Sequence, residues 1–255
     1  MSERQTNYTI MEGYELPSGG KIYDKPVSSH IELRSMTARD EMKRLSPSTT
    51  PLKTLADIIE GCCIEKPAIK VYEMSLGDYE FLLHKLRIVT YGEKYQLACQ
   101  CSECREFIEA QADLGEMNVR AIDPGTYEEL RSFYLPVSNH LITLKHQTPK
   151  LLEDTELKVR EMKRKYPTAG IDFETYCKIL CTIESVDGNK LNQFDLEQII
   201  NSISAKDMQK ILNNADALGK QFGIENVLYV TCPKCGAEVK TFFRYGSEFF
   251  RPSDI

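Results

Sequence analysis

The residues of this sequence best spaced for chemistry are two Cys-x-x-Cys pairs, Cys101/Cys104 and Cys232/Cys235. Two residues between thiolates let both sulfurs of a tight turn face one ion. Two such turns supply the four ligands of a tetrahedral zinc site, with Zn–S distances of about 2.3 Å. In Cys232-Pro233-Lys234-Cys235-Gly236 the proline stiffens the turn and the glycine relieves crowding after the second ligand. Four thiolates leave no coordination position for water, so the Zn2+ expected here is structural and not catalytic. There are 127 residues between Cys104 and Cys232, far beyond the ~15–20 of a compact ribbon. Loop-closure entropy grows slowly with length, so two distant turns can still meet. The competing readings are two turns with ordinary thiols, or a redox pair. A redox Cys-x-x-Cys opens a helix in a βαβ unit, and neither pair here does so.

The other five cysteines point elsewhere. Cys99 is either a substitute ligand for Cys101 or a strand residue facing the same side. Cys62, Cys63, Cys177 and Cys181 fit small core positions on helices. Of the four histidines, His140 and His146 share a strand face but stand ~20 Å apart, too far for one metal. His84 is expected on the polar side of an amphipathic helix, and His30 is the fourth. No Ser-His-Asp or Cys-His arrangement has a recognisable local context, and neither a phosphate-cradling glycine loop nor HExxH occurs, so no enzyme is expected. The basic run Lys158–Lys165 fits a solvated helix face better than a phosphate site, because no aromatic residues interleave as stacking platforms. Phe242 and Phe243 are expected in the core. Phe249 and Phe250 could fill the core or dock on a partner.

The elements that must position these residues follow from periodicity and punctuation. Residues 1–13 form a polar lead. Pro17, Ser18, Gly19 and Gly20 form a turn, and alternation around Ile31 and Leu33 predicts a strand. Ala38–Leu45 suggests a short helix. Pro51 opens a helix with Leu52, Leu55, Ile58 and Ile59 on one face. Ser75 caps the next helix, with Asp78 as its capping-box acid, a stripe of Leu76, Tyr79, Leu82, Leu83, Leu86 and Val89, and Gly92 as the stop. Each Cys-x-x-Cys sits at the tip of a hairpin, YQLACQ with REFIEAQADL, and VLYVT with AEVKTFF. Between them, Asp123-Pro124-Gly125 is a turn, TYEELRSFYL a short helix, and 140–146 a strand. Helices are expected near 149–165, 172–185, 193–202 and 205–221, with Ser204 and Asp207 as a further cap pair.

The 255 residues, 42% hydrophobic and 27% charged, can bury a core without staples. The start carries no secretory pattern and no apolar run approaches the ~18 residues of a membrane span. These features predict a chain kept in a reducing cytoplasm, where cysteines serve as ligands or core residues and not as disulfides. A net charge of −6 argues against a nucleic-acid coat. The expected fold is α+β and mainly helical, with a small zinc-ribbon-like β module assembled from the two distant hairpins. Residues 1–114 plus 223–255 would form one discontinuous module, and 115–222 a mostly helical insertion.

Three stretches together resemble a known family: LPSGGKIYD followed by IELRSMTARDE, then SLGDYEFLLHKLRIVTYGEKY, and finally CPKCG followed by FFRPS. The sequence looks like the baseplate hub family of T4-type contractile-tailed bacteriophages, which covers hub subunits and hub assembly factors. The resemblance runs from about residue 14 to the end and is least specific over 115–222. That family's first knuckle reads Cys-Pro-x-Cys-Gly; here it is Cys101-Ser102-Glu103-Cys104-Arg105. The resemblance implies a non-enzymatic viral protein that binds other phage hub and tail proteins, in the host cytoplasm during assembly or in the virion tail. The alternative is a zinc-ribbon nucleic-acid-binding accessory protein. It would want a basic stripe on the hairpins; Glu103, Glu106, Glu109 and Asp113 stand against Arg105 at the first tip, and Lys234, Lys240 and Arg244 lie at the second, which makes no clear stripe.

Overall fold

A computed structural model describes residues 10–242, 245 and 247–250. It is α+β, with five small antiparallel sheets among the described residues. β1 (Met11–Glu15) pairs with β2 (His30–Arg34), whose alternation turns Ile31 and Leu33 into the core. The polar lead is therefore shorter than expected: β1 is largely exposed on both faces, and so carries no alternation to betray it.

α1 (Ala38–Leu45) starts at a reciprocal Thr37–Asp40 capping box and ends before Pro47. α2 (Pro51–Cys62) buries Leu55, Ile58 and Ile59. Thr50 offers no side-chain cap to α2. Instead the buried Glu153 carboxylate, from 100 residues further along, accepts the N–H groups of Leu52 (2.6 Å) and Lys53 (3.3 Å) and the hydroxyl of Tyr72 (2.8 Å).

α3 (Leu76–Tyr91) is the centre of the first half. Leu82, Leu83 and Leu86 are fully buried, and so are Asp78, His84 and Arg87. His84 is thus not on a polar face. Its Nε2 donates to the Leu114 carbonyl at 2.8 Å and its ring stacks on Phe249. Arg87 donates to the carbonyls of Phe249, Gly92 and Lys94. Asp78 does not close a capping box with Ser75. Its carboxylate accepts the Ser18 N–H (3.0 Å), the Ser18 hydroxyl (2.5 Å) and the Tyr23 hydroxyl, while the Ser75 N–H donates to Tyr23. The LPSGGKIYD segment is therefore tied onto the first turn of α3. Burial pushes the Asp78 carboxyl up, although these donors pull it the other way.

β3 (Lys94–Gln100) and β4 (Phe107–Asp113) form the first cysteine hairpin. β5 (Val119–Arg120) leads to α4 (Pro124–Arg131). Here Asp123-Pro124-Gly125 begins the helix, because Asp123 caps it and Pro124 fits its first position. β6 (Ser132–Tyr134), β7 (Leu141–Leu144) and β8 (Ile183–Val186) form a three-stranded sheet. α5 spans Pro149–Lys165, and α6 (Phe173–Thr182) stops short of residue 185. Ile183 and Val186 pair with Leu144 and Ile142 instead, a short apolar run whose period does not separate helix from strand. α7 (Gln193–Ser202) and α8 (Ala205–Leu218) follow. β9 (Gly223–Ile224) returns the chain to α3, and β10 (Val227–Thr231) with β11 (Glu238–Phe242) forms the second cysteine hairpin.

Two large apolar clusters result. One gathers residues between Leu16 and Leu114 with Ile224, Phe249 and Phe250; the other gathers residues between Tyr127 and Phe222. Phe249 and Phe250 are thus core residues, whereas Phe242 is 56% exposed, against expectation; Phe243 lies outside the described residues. Phe242 belongs to the outward face of a two-stranded hairpin that has no second layer to cover it. No described helix is long and apolar enough to cross a membrane.

Where the chain returns, Gly223 lies against Gly77 so closely that a Cβ on Gly77 would stand 2.6 Å from the Phe222 ring and 2.7 Å from its carbonyl oxygen. Gly77→Ala is expected to lower the unfolding free energy by at least about 2 kcal/mol in urea titrations. Gly61→Ala in α2, which meets nothing within 4 Å, should instead raise it by roughly 0.5–1 kcal/mol. Equal effects would sink the close-packing account. Burial drives the His84 imidazole down to about 4. A depressed histidine contributes stability that is present above its unfolded pKa of ~6.5 and is lost as pH falls toward 4. NMR titration should find the His84 ring neutral down to about pH 5; a midpoint near 6.5 would contradict its burial.

Candidate metal centre

The two cysteine hairpins are built alike. In the first, Cys99 lies opposite Ile108; in the second, Val230 lies opposite Val239. Each of these four residues precedes or follows its turn at the same step. Ile108 and Val239 are buried together beneath Cys101 and Cys232, forming a third small apolar cluster. Cys99 is therefore the counterpart of Val230, an apolar strand position and not part of the cysteine group.

The turns repeat one hydrogen-bond pattern. The Cys101 N–H donates to the Glu106 carbonyl (2.8 Å) and the Arg105 N–H to the Cys101 carbonyl (3.0 Å). Likewise the Cys232 N–H donates to Ala237 (2.8 Å) and the Gly236 N–H to Cys232 (2.9 Å). The residue after each second cysteine has a left-handed backbone, φ 60° at Arg105 and 71° at Gly236. The second turn fills that position with the residue that adopts it freely. The first places an arginine there, and the departure from Cys-Gly in the first turn is thus a local strain, not a different turn.

These turns bring together all four cysteines that the spacing singled out. The Sγ atoms of Cys101, Cys104, Cys232 and Cys235 lie within 4.8 Å of one another. Cys101 Sγ is 3.7 Å from Cys235 Sγ, and Cys104 Sγ is 3.6 Å from Cys232 Sγ. A disulfide would need about 2.05 Å. A tetrahedron of sulfurs about 2.3 Å from a central ion has edges of about 3.8 Å, so these spacings suit a shared cation. The electrostatics agree. The N–H groups of Cys235 and then Lys234 draw the Cys232 thiol down to about 7. The Cys104 sulfur takes the N–H of Glu106 but is desolvated and crowded by the other three sulfurs, and is pushed up to about 12. Ionising one sulfur disfavours ionising its neighbours, so holding several of them as thiolates calls for a cation among them.

Among the described residues this is the one gathering of three or more metal-ligating side chains. His140 pairs with Asp187 (2.7 Å), His146 with the Tyr127 hydroxyl (2.8 Å), and His30 with Glu15 (3.0 Å). Cys62, Cys63 and Cys177 are buried and Cys181 is half-buried. The basic run on α5 is partly spent on ion pairs, Arg160 with Glu156 and Lys163 with Glu174. Sequence reasoning missed the backbone role of Arg105, which aligning the two turns on their cysteines would have revealed. Lys234 and Glu106 link the turns at 2.7 Å, an exposed pair of small energetic weight.

A Cβ on Gly236 would touch nothing within 4 Å, so its substitution tests backbone conformation alone. Arg105→Gly should raise stability by about 1 kcal/mol and Gly236→Ala should lower it by a similar amount, read as opposite shifts of the urea midpoint. Shifts of the same sign would mean that the two turns are not equivalent.

The family described as T4 bacteriophage base plate protein matches residues 8–251. No curated protein matches, and no solved structure matches. The matched span takes in both cysteine turns and the central helix. The chain belongs to the T4 bacteriophage base plate protein family.

Proposed function

We propose that this chain is a non-enzymatic component in building the central hub of the phage tail base plate, as a hub subunit or hub assembly factor. Its partners are other hub and tail proteins, met in the host cytoplasm during assembly or in the virion tail. Cys101, Cys104, Cys232 and Cys235 hold a structural Zn2+ that completes a zinc-ribbon-like module from two distant hairpins. Family membership over nearly the whole chain carries the tail assignment. The edge lengths of the four-sulfur group support the ion. When bound, zinc would supply cross-linking and charge compensation; the surrounding chain supplies the rest. Ile108 and Val239 exclude water beneath the sulfurs, and backbone N–H groups polarise Cys232 and Cys104.

The same reading divides the chain into a discontinuous module, 1–114 with 223–255, and a mostly helical insertion, 115–222. The separation of the two large apolar clusters supports that division. The nucleic-acid alternative gains nothing at the turns, where Lys234 is paired with Glu106.

Protein purified without chelator should carry about one zinc per chain, and Cys235→Ser should lower both zinc content and the thermal midpoint. A zinc content near zero, or an unchanged midpoint, would overturn the structural ion. Hub proteins should co-purify with the chain, and deleting its gene should block base plate assembly. Salt-dependent micromolar binding of DNA or RNA would favour the nucleic-acid module instead.

A further inference from the structure

A groove of about 650 Å3 runs between the outward face of the β10–β11 hairpin and helices α3, α5 and α8. Leu76 and Glu80 of α3, Leu152 of α5, Phe222, Tyr229 and Phe242 line it. Tyr229 and Phe242 are diagonal neighbours on one face of the hairpin, 62% and 56% exposed. They offer two large rings, with Lys240 of the same face over that of Phe242. Leu76, Leu152 and Phe222 make the opposite wall apolar.

The charges of this groove are unevenly satisfied. Arg120 pairs with Glu225 at 3.1 Å and Lys178 with Asp216 at 2.6 Å, and Lys220 lines the groove without an ion pair to Glu80. Glu80, half-buried in the lining, has neither hydrogen bond nor ion pair with any described residue, and the Tyr79 and Tyr245 side chains are near enough to feel its charge. Desolvation alone acts on its carboxyl and pushes it up to about 7. A carboxylate taken partly out of water without a cation is destabilised, and an entering cationic donor that forms a charge-assisted hydrogen bond relieves it. The Lys240 ammonium already lies 5.3 Å from the centre of the Phe242 ring, which leaves Tyr229, in the same groove, as the ring that favours a cation carried on an apolar stem.

We propose that this groove is a docking site for an extended segment of a partner protein, one that presents an arginine or lysine to Glu80 between apolar side chains that pack on Tyr229 and Phe242. That the partner is another tail protein rests on the function proposed above; the recognition chemistry does not.

The test uses the full chain with zinc, NMR amide shifts, and two capped pentapeptides, Phe-Leu-Arg-Leu-Phe and its citrulline analogue, which keeps the shape and removes the charge. The arginine peptide should perturb amides of α3 near Glu80 and of β10–β11, and the citrulline peptide should bind about tenfold more weakly. Glu80→Gln should erase that difference. Tyr229→Ala, on an exposed face, should weaken both peptides alike and serves if Glu80→Gln fails to fold. Equal binding of the two peptides to the wild-type chain, shifts confined to another surface, or no binding at millimolar peptide would each overturn the proposal. Co-purification of hub proteins without peptide discrimination would overturn the groove alone. Peptide discrimination without hub association would overturn the base plate assignment alone.

Discussion

Helix α3 lies almost wholly inside the first core, and its polar residues go in with its leucines. Asp78, His84 and Arg87 are as buried as Leu82, Leu83 and Leu86. A buried polar group costs free energy unless it finds a partner. Each of these three therefore dictates where another part of the chain must go. Asp78 fixes residues 18–23 at the start of the helix, His84 fixes the carbonyl of Leu114, and Arg87 fixes both the turn after the helix and the carbonyl of Phe249. Leucines alone would have accepted many apolar neighbours. The polar groups accept these segments and leave their alternatives with unmet hydrogen bonds.

The second half of the chain is joined to this core by backbone and cap contacts, not by apolar surface alone. The Leu76 N–H donates to the Gln147 carbonyl at 2.7 Å, so a loop before α5 caps α3. Glu153 of α5 caps α2, and Gly77 admits the returning chain at Gly223. The start of α3 is consequently met from three directions: by the early turn at Ser18, by the loop at Gln147 and by the strand at Gly223. This crossing explains why a short run, Ser75-Leu76-Gly77-Asp78, carries a cap, a close approach and a buried anchor in succession.

Much of this was legible in residue spacing, and what was not has a common cause. The four cysteines, the helix over 149–165 and the caps at Ser75 and Ser204 depend on neighbours a few positions away, so local pattern finds them. Asp78 and Asp207 were legible as acids three residues after a cap but not in their use. Both reach instead to distant backbone, Asp78 to Ser18 and Asp207 to Val137 and Ser138. His84 misled for the same reason: a polar residue on a helix suggests a wet face until a segment far along the chain covers it. β1 was missed because neither of its faces is buried enough to leave an alternating trace. Phe242 was misjudged because hydrophobicity does not say whether a hairpin has a second layer. At the cysteine site, spacing identified the sulfurs, while the left-handed position at Arg105 needed the two turns to be set side by side, Arg105 against Gly236.

The four-sulfur cluster also has a history in time. Cys104 precedes Cys232 by 128 positions, which at roughly 5–20 residues per second of synthesis is on the order of ten seconds. For that interval the first turn holds two thiols with no second pair to complete them. Ile108 has no Val239 to cover it, and the first core still lacks Phe249 and Phe250. A chain interrupted anywhere before the second hairpin leaves an open apolar turn and a core with a gap. The folded state thereby depends on the second hairpin: only a chain that has reached it can close the first one.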